Sequence, residues 1–395
     1  MPTPSSLPPP KKRKLSSSDD TLKRIESLES SLAQSLLSGG SLNAFVDLLE
    51  LARSTTDAAV LHKIIYALYR STVSIAASPK LDASKCRTEE SKLVRTWLLD
   101  RVNEYIDLLC GLMADEEKGL RSAALQIHMS ALKHLSSAFS NASDTPQIYS
   151  VHFRKIVRAL LVCPSSCRGG EGGGEGRRVE ADVRDTFVDT WLSSYDDIRW
   201  FFLRDATSLL RADGDKISVT VAENLLSFLE RLKTMPTEVG ELNAFWIPEF
   251  GTKPPKPTRG SKQLDDDQGE AIPVDEDDWR TFFDDGGEVP PKSSKANAPR
   301  VHTLSTHQSL YSLSSHRAQF SACWMALLPH IASSGPLATR ALSVMHRGVM
   351  PHMDKPVRLM DWVGGCVDFG GSIGLLALNA LFVLIKDYNL QVPSL

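Results

Sequence analysis

Residues 367–385 read VDFGGSIGLLALNALFVLI, and the fold class turns on how they are taken. Asp368-Phe369-Gly370 has the form of a phosphotransferase metal-binding turn. Gly370 and Gly371 suit a phosphate loop, and the apolar run suits a membrane span. The first meaning needs partners. Upstream, HRGVMPHMDKP at 346–356 would have to be the catalytic loop. There Gly348 stands where the base should be, and no asparagine follows Lys355-Pro356 as a second metal ligand. No glycine-rich strand-turn-strand or strand lysine precedes it. The third meaning needs about twenty apolar residues; residues 373–385 supply thirteen, with Asn379 among them. What remains is a core helix, buried on nearly all sides. Gly370-Gly371 form the turn before it and Ser372 is a suitable N-cap. Asn379 then needs a partner for its amide.

Working outward, the same helical periodicity fills the chain. Leu22, Ile25, Leu28, Leu32 and Leu36 mark one helix, stopped by Gly39-Gly40. Ser41 is placed to cap the next, with Phe45, Leu48, Leu49 and Leu51. A third follows from about Thr56. Further helices run through Leu93–Leu109, Asp115–Leu135, Val151–Val162 and residues 217–232. In the second of these, Ala123 and Ala124 are small enough to let neighbours approach, as in a HEAT-type repeat unit. No strand-like alternation interrupts them. The expectation is an all-α chain, an irregular HEAT/armadillo-like α-solenoid. Helices resume at about Thr306 with THQSLYSLSSHRAQFSACWMALLPHI, then GPLATRALSVMHRGVMPHM.

Composition divides the chain. Residues 1–20 form a Pro/Ser tail, 21–250 a helical-repeat domain, 251–300 an acidic, Pro/Gly-rich linker, and 301–395 a second helical region. Within the first domain, PSSCRGGEGGGEGRR at 164–178 is a surface loop. Its glycines are not bracketed by a strand and a Lys-Ser/Thr pair, so no phosphate loop follows. The tail carries Lys11, Lys12, Arg13 and Lys14 among prolines and serines. Such an exposed cluster is readable by an import receptor; the plain alternative is a solvated basic tail.

Of 395 residues 42% are hydrophobic and 24% charged, with a formal charge of −3. No global positive field argues for nucleic-acid binding. Six scattered cysteines are no disulfide framework. Cys163 and Cys167 lack the second ligand pair that a zinc tetrahedron requires. His346 and His352, near Asp354 and Asp368, are separated by Pro351, which breaks the helix between them; a structural role is expected. Cofactors and active-site residues are expected to be none.

Two aromatic clusters stand out. Phe187, Trp191, Tyr195, Trp200, Phe201 and Phe202 crowd one span. Asp185, Asp189, Asp196 and Asp197 around them would repel phosphates, so these rings are expected in the core. Residues 263–288 hold eleven acidic groups against one arginine. Within them Trp279, Phe282 and Phe283 lie at helical spacing, which suggests a docking helix for this chain's own solenoid or for a basic partner.

Residues 316–390 resemble a known family. Phe320 and Trp324, then LSVMHRGVMPHM with His346, Pro351 and His352, then Pro356 and Leu359, match its pattern. So do the Asp368/Gly370-Gly371 turn and LLALNALFVLI, with Asn379, ending in Tyr388-Asn389-Leu390. The pattern is similar to the CCAAT-binding-factor domain of nucleolar ribosome-assembly proteins. YDDIRWFFLRD at 195–205 and WRTFFDD at 279–285 resemble one branch, the nucleolar complex protein four family. The resemblance implies a non-enzymatic helical scaffold in the nucleolus, acting in early small-subunit assembly, rRNA processing and export. It implies a nucleolar protein fourteen-type factor and the pre-ribosomal particle, with its small-subunit precursor RNA, as partners. Family members continue past the Tyr-Asn-Leu element, so the chain is expected to be C-terminally truncated, with Leu375, Leu378 and Phe382 exposed or covered by a partner. A helical adaptor in nuclear transport or transcription is the runner-up.

Overall fold

The computed structural model describes residues 17–254 and 304–388, except 83, 144, 167, 169–176 and 214–217. The basic cluster at 11–14, the aromatics Trp279, Phe282 and Phe283, Asn389, Cys167 and most of the glycine-rich loop lie outside the described residues. Among the described residues every regular element is helical, so the fold is all-α as periodicity indicated.

Two compact units result, one of residues 1–142 with 163–175, the other of 143–162 with 176–395. The first holds α1 (Ser17–Ser38), α2 (Asn43–Ser54), α3 (Ala58–Ala77), α4 (Glu89–Leu112) and α5 (Lys118–Ser143). Gly39, at φ +74°, ends α1 in the left-handed region. Ser41 assists α2 by accepting the Asn43 N–H at 3.3 Å, although Leu42 is the N-cap residue. Asp57 caps α3, taking the Ala59 and Val60 N–H groups at 2.8 and 3.1 Å. Thr88 and Ser91 form a reciprocal capping box on α4. Among the first four helices each packs on its next one or two neighbours in sequence, the local pattern of helical repeats. Phe45, Leu61, Ile64, Leu98 and Val102 are fully buried between them. The buried Tyr105 phenol donates to the Ile65 carbonyl at 2.6 Å. Asp115, 2% exposed, accepts from the Glu117 N–H at 2.9 Å and from Arg168 Nη1 at 2.8 Å. Ser166 also donates to it, so the start of α5 holds the returning chain.

The second unit contains α6 (Ser150–Val162), α7 (Ala181–Phe187), α8 (Asp196–Asp213) and α9 (Val219–Leu229). It continues with α10 (Thr306–Leu310), α11 (Leu313–Ile331), α12 (Gly335–Val344), α13 (Met360–Val367) and α14 (Gly371–Tyr388). A π-helical turn, Val188–Leu192, extends α7. The 306–331 stretch is two helices rather than one: α10 stops at Leu310, and Ser312 caps α11 through the Ser315 N–H. Five of the six clustered aromatics are core, and Tyr195 is half-buried against Trp246. Phe187, Trp191, Trp200, Phe201 and Phe202 are buried, and Phe202 sits 5.6 Å from both Phe187 and Phe228, ring to ring. Helices from both sides of the 251–300 composition break share this unit, because α8 packs on α11. Trp200 Nε1 donates to Ser315 Oγ at 2.9 Å across that pair.

Candidate interaction surface

Two carboxylates at the start of α8 set the geometry of the second unit. Asp196 and Asp197 are buried, at 3% and 0% exposure. Of the four acids expected to repel phosphates around the aromatic run, these two are therefore buried and matched by donors. Asp196 Oδ2 accepts the Asn243 and Ala244 N–H groups at 3.0 and 3.1 Å, and Oδ1 pairs with Arg199 at 2.8 Å. Arg199 in turn donates to the Ser193 carbonyl at 2.9 Å. Asp197 Oδ1 takes Ile198 and Trp246, and Oδ2 takes Ile247, each at 2.9 Å. A buried anion must be matched by donors, and here most of the donors are backbone N–H groups about fifty residues away. The pair straps the non-helical 243–247 stretch across α8. The Phe250 carbonyl then accepts the Tyr311 hydroxyl at 2.8 Å, tying this stretch to the end of α10. Sequence reasoning missed this strap; its one visible signal was an Asp-Asp pair beside a dense aromatic run.

The family-pattern residues form the other end of the unit. Phe320 and Trp324 are buried in α11, 6.3 Å apart ring to ring. His352 meets the Phe320 ring edge-on at 6.2 Å; burial first, then Arg317, lowers its pKa. After α12 the chain makes a π-helical turn, Met345–Val349, containing His346, then a 3-10 turn, Met350–His352, with Pro351 in its first turn. The α-helix thus ends at Val344, before His346, and helical turns run on through Pro351 to His352, so the expectation that Pro351 breaks the helix between the two histidines is corrected. The Asp354 N–H donates to Ser321 Oγ at 2.9 Å, fixing this loop on α11. Pro356 is buried and opens the 3-10 turn Pro356–Leu359. Among the described residues no group of three His, Cys, Asp or Glu side chains is placed to hold a metal ion.

The stretch at 367–385 is a helical hairpin. Gly370 and Gly371 adopt φ +64° and +53°, which glycine tolerates without strain. The helix begins at Gly371, so Ser372 lies in its first turn rather than at the cap. Gly374 is buried, and a Cβ there would stand 3.1 Å from the Val367 carbonyl oxygen. That close approach lets α13 pack along the small side of α14: Gly374, Ala377 and Ala380, followed by Leu384. Asp368 is exposed at the end of α13.

The opposite side of α14 is apolar and open. Leu375, Leu378, Phe382 and Ile385 are 69, 51, 61 and 45% exposed. This corrects the expectation of a helix buried on nearly all sides. The run of apolar residues is continuous, but only its small-residue side has neighbours. Asn379 is exposed, so its amide has water available and needs no buried partner. Tyr388 is half-buried, which raises its pKa. By length and composition α14, at 18 residues and a mean hydropathy of 1.4, is long and apolar enough to cross a membrane. Its packed edge against α12 and α13 is instead that of a helix in an α-helical stack. What the surface can do chemically is pack: it offers bulky apolar side chains and no convergent reactive groups.

Comparison with known proteins gives this architecture a family. A family model described as "Nucleolar complex protein 4-like, TPR repeats" matches residues 14–215. Its description names TPR repeats where the sequence suggested HEAT or armadillo; both are stacked helix pairs. A mouse protein named nucleolar complex protein 4 homolog is 26% identical over 203 residues, 51% of this chain and 29% of its own length. Nucleolar complex protein 4 homolog A of Xenopus laevis is 41% identical over 82 residues, 21% of this chain and 15% of its own. An uncharacterized Schizosaccharomyces pombe protein is 24% identical over 377 residues, 93% of this chain and 62% of its own. The matches therefore span less than two thirds of each of these relatives.

Proposed function

The chain belongs to the nucleolar complex protein 4-like family, and from that membership we propose that it is a non-enzymatic helical scaffold of nucleolar ribosome biogenesis. It works in the nucleus and nucleolus, within the early particle that processes small-subunit precursor RNA and leads to its export. The match over 14–215, laid on a chain whose described elements are all helical, is the observation that carries this reading. Lys11, Lys12, Arg13 and Lys14 bind an import receptor. The helical surfaces and the acidic segment bind protein partners, among them a nucleolar protein fourteen-type assembly factor. Within that segment Trp279, Phe282 and Phe283 form a docking helix whose aromatics anchor and whose carboxylates select a basic surface.

Gradient sedimentation of nuclear extract tests this reading. The tagged chain is expected to migrate with pre-ribosomal particles. Trp279→Ala with Phe282→Ala is expected to shift it toward lighter fractions while helix content is retained. Sedimentation of the unmodified chain as a light species, away from precursor RNA, contradicts the proposal.

A further inference from the structure

Two pieces of chain, far apart in sequence, share the core of the second unit. The earlier piece, residues 143–162 with 176–254, supplies α6 to α9 and the strapped stretch after them. The later piece, from residue 304 onward, supplies α10 to α14. Between Pro254 and Leu304 run about fifty residues rich in proline, glycine and acid.

The joint between the two pieces is built throughout from described residues. Trp200 of α8 donates to Ser315 Oγ of α11 at 2.9 Å, and further along the same pair the Cys323 thiol bonds to the Thr207 hydroxyl. Around them Leu203, Leu210, Phe320, Trp324 and Leu327 are each 1% exposed or less. At one rim Arg340 of α12 donates to both Glu230 oxygens at 2.9 and 3.2 Å and to Glu223 of α9 at 3.3 Å. At the other rim the Tyr311 hydroxyl reaches the Phe250 carbonyl, and Arg317 donates to the Thr237 carbonyl at 3.3 Å. Apolar at its centre and hydrogen-bonded at its edges, this surface has the make-up of an obligate interface, a domain core cut in two. The linker also leaves and returns at one place, because Phe250 and Tyr311 touch.

We propose that the piece from residue 304 onward is a separable binding partner for the surface made by α8, α9 and residues 237–250, and that covalent continuity through 255–303 carries no part of the joint. The proposal is independent of the ribosomal reading above. A flexible tether of this kind only sets the concentration at which its two ends meet, at about millimolar. The buried centre and the two hydrogen-bonded rims hold without it, so a chain cut in the linker stays one particle. The acidic segment and the joint then have separate tasks, and cutting near the first leaves the second in place.

The test uses the full chain with a protease recognition sequence inserted between Gly260 and Ser261, cut under native conditions. The two fragments are expected to elute together from a sizing column at micromolar concentration, at the position of the uncut chain. The unfolding midpoint of the second unit is expected to rise with protein concentration after cutting and not before, as mass action requires of two chains. Cys323 is the internal probe, and its alkylation in the cut chain is expected to stay within about threefold of the uncut rate. Arg340→Glu sets a third carboxylate against Glu223 and Glu230; it is expected to weaken the cut complex about tenfold or more while the uncut chain stays folded. Fragments that separate on cutting, or that hold equally well with Arg340→Glu, overturn the proposal. So does Cys323 alkylated as fast as in urea, or an inserted site that the native protein shields from the protease.

Discussion

The Asp197 carboxylate holds the Ile247 N–H at 2.9 Å, joining the first turn of α8 to a strand-like stretch fifty residues further on. With the Trp246 and Ile198 N–H groups it has three backbone donors and almost no solvent. Removing the carboxylate leaves those donors buried without an acceptor, each worth about 1–3 kcal/mol. Asp197→Ala is therefore expected to destabilise the second unit by about 3 kcal/mol or more. Asp197→Asn, which keeps one acceptor oxygen, loses less. Urea unfolding followed by tryptophan fluorescence measures both. Equal midpoints for wild type and Asp197→Ala would show that the strap does not hold the unit together.

His316 makes stability depend on pH. Its ring is fully buried, with Nε2 2.9 Å from the Leu310 carbonyl oxygen. Burial pushes its pKa from the usual 6.5 down to about 4; Arg199 acts the same way, while Asp196 opposes. The folded state thus binds the proton less readily than the unfolded chain. The stability this group contributes is complete above about pH 6.5 and is lost as pH falls through 4, by roughly 3 kcal/mol. Asp197 acts in the other direction. Burial raises it to about 6 in spite of its three N–H donors and with a push from Asp196, so its share is complete below the unfolded value near 4 and is lost as pH rises through 6. Between pH 4 and 6 the two nearly cancel. The wild type minus His316→Phe stability difference is expected to fall by roughly 3 kcal/mol from pH 7 to pH 4. A flat difference curve would rule this out.

Gly374 sits where two helices touch. A methyl group there meets the Val367 carbonyl oxygen at 3.1 Å, and a branched side chain has no room. Gly374→Val is expected to cost about 1–3 kcal/mol by forcing α13 and α14 apart. Gly371→Ala, at φ +53°, is expected to cost about 1–2 kcal/mol through backbone strain alone. Ser372→Ala, in an exposed first-turn position, is expected to be within about 0.5 kcal/mol of wild type. Thermal unfolding of the three variants checks the order; Ser372→Ala as the most damaging of them would mean that the serine caps the helix after all.

Much of this fold was legible in the sequence because helices declare themselves locally. Ile25 and Leu32, or Leu61, Ile64, Ile65 and Leu68, recur at the helical period and are buried where that period puts them. The aromatic run at 187–202 was legible as core for a similar reason: large rings at high density need somewhere dry to go. The roles of Asp196 and Asp197 were not legible. Their partners are main-chain N–H groups of residues 243–247, which carry no side-chain signature. The state of α14 was half legible. Its apolar run is visible, but whether both sides have neighbours depends on what packs there, and only the Gly374–Ala377–Ala380 side is occupied. The family pattern at 316–390 is reflected in positions the structure gives clear structural work, such as Phe320, Trp324 and the Gly370-Gly371 turn.

The most direct test of the scaffold role is affinity purification of the tagged chain from nuclear extract, with identification of the RNA and proteins recovered. Small-subunit precursor RNA together with its assembly factors is the result expected. Recovery of transport or transcription factors without precursor RNA would contradict it.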